Sequence, residues 1–156
     1  MNIKYVGKIV NTHALKGELR IISQIDNKDL VFKVSNCLFI GKEKRKEVIN
    51  SYRKHKNYDM VTFKGYNDIL EVKSFIGENV YFDRDLIDSS ILFEDDIIGF
   101  NCIYNNEEIG KLTNITNNNG YKLLVIDDHI YVPYNKEFIE KIDACEIILK
   151  NLEGLI

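Results

Sequence analysis

The feature that most constrains this chain is its punctuation: short β-branched runs are broken every few residues by turn-forming residues, and only one stretch carries helical spacing. The most informative unit is residues 6–20, VGKIVNTHALKGELR. A strand begins there, breaks at a polar tip holding His13, Lys16 and Gly17, and resumes at Glu18. A loop held between two strands is where binding groups usually sit. Alternation and turn chemistry predict further strands over 5–10, 18–22, 37–40, 46–52, 58–63 and 79–82, then over 97–104, 108–115, 121–127, 130–132 and 146–149. The exception is 68–76, where Ile69, Val72 and Ile76 fall at helical spacing, Asp68 can cap the start and Gly77 ends the segment. Asn105-Asn106, 117–120 and Asp127-Asp128 supply tight connections. Many short strands with one short helix make the chain mainly β, a barrel or a sandwich.

With 156 residues and 45% hydrophobic content, two small barrels fit comfortably. The stretch 83–91 is polar and lacks alternation, and the charge changes sign there. Residues 1–85 hold 16 Lys and Arg against 11 Asp and Glu, a net of +5, whereas 86–156 hold 5 against 13, a net of −8. An N-terminal barrel over 1–85, a linker over 86–92 and a C-terminal barrel over 93–156 follow. Opposite signs suggest phosphate as counterpart of the first half and a basic protein as counterpart of the second. Ordinary solvated charge is the alternative.

No leader-like segment and no apolar run long enough to span a bilayer occur, so a soluble cytoplasmic protein without membrane contact is expected. Cys37, Cys102 and Cys145 are odd in number and show no C-x-x-C spacing, which argues against a disulfide framework and against zinc. No catalytic motif, dinucleotide fingerprint or phosphate-binding glycine loop occurs, and no metal or cofactor is expected. Cys37 and Cys102 lie in apolar strands, where inert thiols prevail over nucleophiles. Asp127, Asp128 and His129 read as a turn before they read as metal ligands.

Binding of structured RNA needs clustered cations near backbone phosphates. Lys16 and Arg20 flank one hairpin tip, Lys42, Lys44, Arg45 and Lys46 form a second basic run, and Arg53, Lys54, His55 and Lys56 a third. On one barrel face these would make a patch, with Tyr52 and Tyr58 available for stacking. The second run also reads as a solvated hairpin turn.

In wording and spacing, residues 6–20 resemble the opening of the RimM family of ribosome maturation factors, with Ala14 where the family usually has glycine. The resemblance continues through Tyr52-Arg53-Lys54-His55-Lys56, the helix ending at Gly77, Asp96-Ile97-Ile98-Gly99, Glu108-Ile109-Gly110-Lys111-Leu112, Leu123-Leu124-Val125-Ile126, Val132-Pro133-Tyr134, Ile142-Asp143 and 152–156. It implies a six-stranded RimM-type barrel followed by a PRC barrel. It also implies a monomeric, non-enzymatic factor that binds immature small ribosomal subunits and their rRNA, assists head assembly and rRNA processing, and leaves before the subunit works. The partner implied is small-subunit ribosomal protein nineteen, met mainly through the second barrel and linker. Leu92 and Phe93 stand where many members carry adjacent tyrosines, beside Glu94, Asp95 and Asp96. Leu92, Phe93, Asp95 and Asp96 are therefore candidates for the protein contact, with Phe93 as a packed plug the alternative. His13, Lys16, Arg20, Arg53, His55 and Lys56 are the candidates facing RNA or the subunit. A general RNA-binding barrel module is the second reading. A small enzyme or cofactor carrier using His13 or a cysteine is the third.

Overall fold

The computed structural model of the chain describes residues 1–13 and 16–155. The chain divides into two compact units, Met1–Ile91 and Leu92–Ile156. The first contains β1 (Ile3–His13), β2 (Glu18–Ser23), α1 (Lys28–Val31), β3 (Cys37–Ile40), β4 (Arg45–His55), β5 (Tyr58–Phe63), α2 (Ile69–Val72) and β6 (Asn79–Asp83). Its strands close into a barrel in the order β1-β2-β5-β4-β3-β6.

Closure depends on two long strands, each of which bends to serve two neighbours. β1 pairs with β6 through its first half and with β2 through its second, and both registers slip by a residue. β4 likewise pairs with β3 and then β5, with a slip between Ile49 and Ser51. Such bulges add the local twist that a small barrel needs. Gly7 sits at the bend of β1, where a Cβ would collide with the Ile22 carbonyl of β2. Val6, Ile9, Leu19, Ile21, Ile49 and Val80 are buried in this unit.

The predicted helix at 68–76 is shorter than its apolar spacing suggests. The Asp68 carboxylate accepts the Leu70 N–H at 2.8 Å, as a cap does. The α-helix nevertheless gives way after Val72 to a 3₁₀ turn over Lys73–Phe75, and Gly77 leaves it at φ 88°. α1 has no counterpart among the predicted elements: Asn27 enters it in the left-handed region with no side-chain cap, so it lacks the usual start signal. Part of the segment expected as a linker is tied into the first unit. Arg84 is 9% exposed, and its guanidinium donates to the carbonyls of Ile87 at 3.2 Å and Ile91 at 2.5 Å.

The second unit contains α3 (Glu94–Ile97), β7 (Asn101–Tyr104), β8 (Glu107–Asn118), β9 (Tyr121–Ile126), β10 (Ile130–Pro133), β11 (Ile139–Asp143) and β12 (Glu146–Leu149). They form a six-stranded sheet in the order β10-β9-β8-β7-β12-β11, antiparallel except where β12 runs parallel to β7. Ile97, Cys102, Leu112, Leu124, Ile126 and Ile147 belong to one buried cluster in this unit. Both residues of the Asn105-Asn106 and Asp127-Asp128 connections have positive φ, the conformation of a two-residue I′ hairpin turn.

The strand predicted over 97–104 is corrected to 101–104. The Asp96 carboxylate accepts the Phe93 N–H at 2.7 Å, winding 94–97 into a helical turn, and Gly99 at φ 93° breaks the path before the strand starts. Ile97 is buried all the same, as the inward side chain of that turn. β11 is a further strand beyond those predicted. Its sequence, Ile-Glu-Lys-Ile-Asp, is that of a half-exposed edge strand without strict alternation.

Candidate functional site

Strand parity assembles the site on the outer face of the first unit. Leu19 and Ile21 point inward from β2, so Glu18 and Arg20 point outward. The register then places Arg20 opposite Met60 of β5, Met60 opposite Arg53 of β4, and His55 opposite Tyr58. His13 at the end of β1 pairs with Glu18. Met60 is fully shielded although it lies in this outward row, flanked by Arg20 and Arg53, whose aliphatic stems can cover it.

The side chains in this row meet. The Arg20 guanidinium donates to His13 Nδ1 at 2.6 Å and lies 5.4 Å from the centre of the Tyr58 ring. The His13 and His55 rings are 5.7 Å apart. Arg53 reaches across β5 and donates to both carboxylate oxygens of Glu18, at 2.9 and 2.7 Å. This fork holds the Glu18 carboxyl below its usual range, against partial burial, which acts the other way. His55 is pushed below the ordinary imidazole value, first by desolvation and then by Arg53, Lys56, His13 and Arg20 around it. Lys56 is exposed in the β4–β5 turn at φ 55°, and Lys16 is exposed before β2. Ala14, where the family's glycine would stand, lies outside the described residues.

The third basic run therefore divides by the period of the strand. Arg53 and His55 join the outer cluster, whereas Lys54 is directed to the opposite face of β4 and lies 3.6 Å from Asp59. Asp59 is fully buried and accepts from the Tyr52 hydroxyl at 2.6 Å and the Lys28 ammonium at 2.7 Å. Tyr52 also stacks on Phe32 at 5.1 Å, so it anchors the wall behind the cluster and is not a free stacking platform. The second basic run does not join the patch. Residues 41–44 form the β3–β4 turn, and Arg45 begins β4 about 26 Å of strand away from Arg53. Lys44 and Arg45 lie over the rings of Tyr81 and Phe75, at 4.1 and 4.5 Å. Glu18 is a member of the site that sequence reasoning misses. Its only signal is its position two residues before Arg20 in a strand.

In the second unit, Phe93 is 4% exposed, so it is packed and does not offer an exposed aromatic anchor. Leu92 is 40% exposed, and Asp95, three residues on, is exposed as well. Asp96 is half-buried and spends its carboxylate on the Phe93 N–H, while Glu94 accepts from Lys122 at 2.8 and 2.9 Å. Of the expected acidic steering groups, Asp96 thus has a capping duty.

Asp127, Asp128 and His129 are engaged in their hairpin: Asp127 accepts from the Lys111 N–H, the Asp128 N–H donates to Thr113, and His129 Nδ1 lies 2.8 Å from the Asp127 carbonyl. Among the described residues no cluster of His, Cys, Asp or Glu is arranged to hold a metal ion. Burial, with Asp127 and Glu108 nearby, pushes the Cys102 thiol up to about 12, which leaves it protonated at neutral pH. Cys37 is half-buried, not buried, and Cys145 is exposed. No helix among the described residues is long and apolar enough to cross a membrane.

Comparison with known proteins places both units. Residues 4–87 match the RimM N-terminal domain and residues 94–152 match the RimM PRC barrel domain. A ribosome maturation factor RimM of Bacillus cytotoxicus is 30% identical over 175 aligned positions, covering 97% of this chain and 96% of that protein. The one of Bacillus cereus is 46% identical over 76 residues, covering 46% of this chain and 44% of its own length. The crystal structure of the RimM protein of Pseudomonas aeruginosa superposes with a TM-score of 0.50 at 18% identity, covering 95% of this chain and 96% of that one, a likeness of fold. The two matched domains, in this order and over nearly the whole sequence, make the chain a member of the RimM family of ribosome maturation factors.

Proposed function

We propose that this chain binds immature small ribosomal subunits, with its first unit turned to rRNA and its second to small-subunit ribosomal protein nineteen. In doing so it assists assembly of the head and processing of the small-subunit rRNA. The observation that carries the RNA half is the outer cluster, in which three strands bring His13, Arg20, Arg53 and His55 together around a single carboxylate, already held by Arg53. The protein half rests on the net charge of −8 over 86–156, with Leu92 and Asp95 exposed close together in the chain. Acidic residues steer a basic partner, and an apolar side chain adds affinity.

Such a factor works as a cytoplasmic monomer by differential binding. It favours one conformation of the unfinished head only to the extent that it binds that state more tightly. No covalent step and no cofactor enter this account. The outer cluster also favours a second reading, a general RNA-binding module. The two differ in whether free RNA alone is a sufficient ligand.

The test is recovery from cells with a tagged full-length chain at low salt. Immature small subunits together with the basic head protein are expected. Recovery of mature subunits only, or of neither, would count against the proposal. Replacing Lys16 and Arg20 should lower the slope of log affinity against log salt by about 0.7 to 0.9 for each phosphate that is no longer neutralised.

A further inference from the structure

We propose that His13, Arg20 and His55 form a proton-linked phosphate clamp, in which a backbone phosphodiester of RNA docks on the Arg20 guanidinium and draws a proton onto the neighbouring imidazoles. This inference rests on the reading that the outer face of the first unit meets RNA. A guanidinium only donates, so in the 2.6 Å contact it is His13 Nδ1 that accepts. Arg20 has a further donor in hand, because its Nε is shielded from solvent without a hydrogen-bond partner among the described residues. A turn of the guanidinium toward solvent would release Nη2 from His13 and offer both donors of the fork to a phosphate.

The charge around the imidazoles explains the linkage. His13 comes from β1, Glu18 and Arg20 from β2, Arg53 and His55 from β4, Lys56 from the following turn and Tyr58 from β5. The Glu18 carboxylate is taken by both donors of Arg53. His55 therefore sits beside Arg53, Lys56 and Arg20, and burial together with these cations disfavours its protonated form. A bound phosphate reverses the sign of that field. Protonated rings would then face an anion, and His13 would turn from accepting a hydrogen bond from Arg20 to donating one to the phosphate. Binding takes up protons, so affinity rises as pH falls from the bound-state midpoint to the free-state one.

The experiment uses the full chain and a fluorescently labelled hairpin RNA from the small-subunit rRNA. Affinity is measured at pH 8.0 and pH 5.5, and the imidazole Cε1–H resonances are titrated by NMR with and without RNA. A rise of one unit in a single midpoint corresponds to about tenfold tighter binding at the lower pH. The clamp predicts that at least one imidazole midpoint rises on RNA binding, and that His13→Gln or His55→Gln lowers the ratio of the two affinities. Binding with equal affinity at both pH values and unmoved midpoints would overturn the clamp while leaving the RNA reading intact. Absence of RNA binding at both pH values would overturn the clamp and the RNA reading together.

Discussion

Asp59 offers the sharpest structural prediction, because its carboxylate is fully buried behind the cationic face and holds three neighbours together. Truncation to Ala removes the Tyr52 hydroxyl's acceptor, worth about 1 kcal/mol. It also leaves the Lys28 ammonium, whose side chain is 26% exposed, without its carboxylate, on the order of a further 2 kcal/mol. Lys54 adds little, since half of its side chain is in solvent, where pairing is screened. Asp59→Ala should therefore cost about 3 kcal/mol, and Asp59→Asn, which keeps an acceptor for Tyr52 but not the charge for Lys28, about 2 kcal/mol. Urea titration followed by amide NMR reads each unit's own transition. Lys28→Met in the Asp59→Ala background should cost less than in the native chain, the mark of a coupled pair. A loss below about 1 kcal/mol for Asp59→Ala, or strict additivity with Lys28→Met, would refute the network as the anchor of this barrel wall.

Other substitutions probe separate joints of the structure. Gly7→Ala places a methyl group against the Ile22 carbonyl, so it should destabilise the first unit by more than about 2 kcal/mol, read by thermal unfolding. Asp96→Ala removes the acceptor of the Phe93 N–H and should cost about 1 kcal/mol in the second unit, whereas Asp95→Lys should weaken capture of the basic head protein. Two groups of the outer cluster contribute to the pH dependence of the first unit. His55 has a native value below its unfolded one near 6.5, so stability is lost as pH falls from 6.5 toward the lowered value. Glu18 acts in the same direction at lower pH, losing its contribution as pH falls below the unfolded value of 4.5 through the native one. Denaturant titrations at pH 7.5, 5.5 and 4.0 should show both losses, and His55→Gln should remove only the first.

The barrel strands are legible in the sequence because alternation and turn chemistry agree along the first half, and Asp68 announces its cap. The segments that escape a sequence reading lack such agreement. Ile97 and Ile98 look like a strand, yet a single hydrogen bond from the Phe93 N–H to Asp96 turns that segment into a helix. α1 starts at a left-handed Asn27 without a capping side chain. The site is partly legible for the same physical reason as the strands. A period of two puts Arg53 and His55 on one face and Lys54 on the other, and Glu18 with Arg20 on one face of β2. Which strands lie side by side depends on the closure order β1-β2-β5-β4, set by bulges that leave no mark in composition. The Arg53 reach to Glu18 is therefore out of view in the sequence, and so is the separation of the Lys42 to Lys46 turn from the cluster.

The proposed division of labour between the two units can be tested most directly by photocrosslinking on immature small subunits. A photoreactive residue replacing Tyr58, beside Arg20, should attach to rRNA, and one replacing Leu92 should attach to small-subunit ribosomal protein nineteen. Crosslinks from position 58 to protein alone, or from position 92 to RNA alone, would contradict the account.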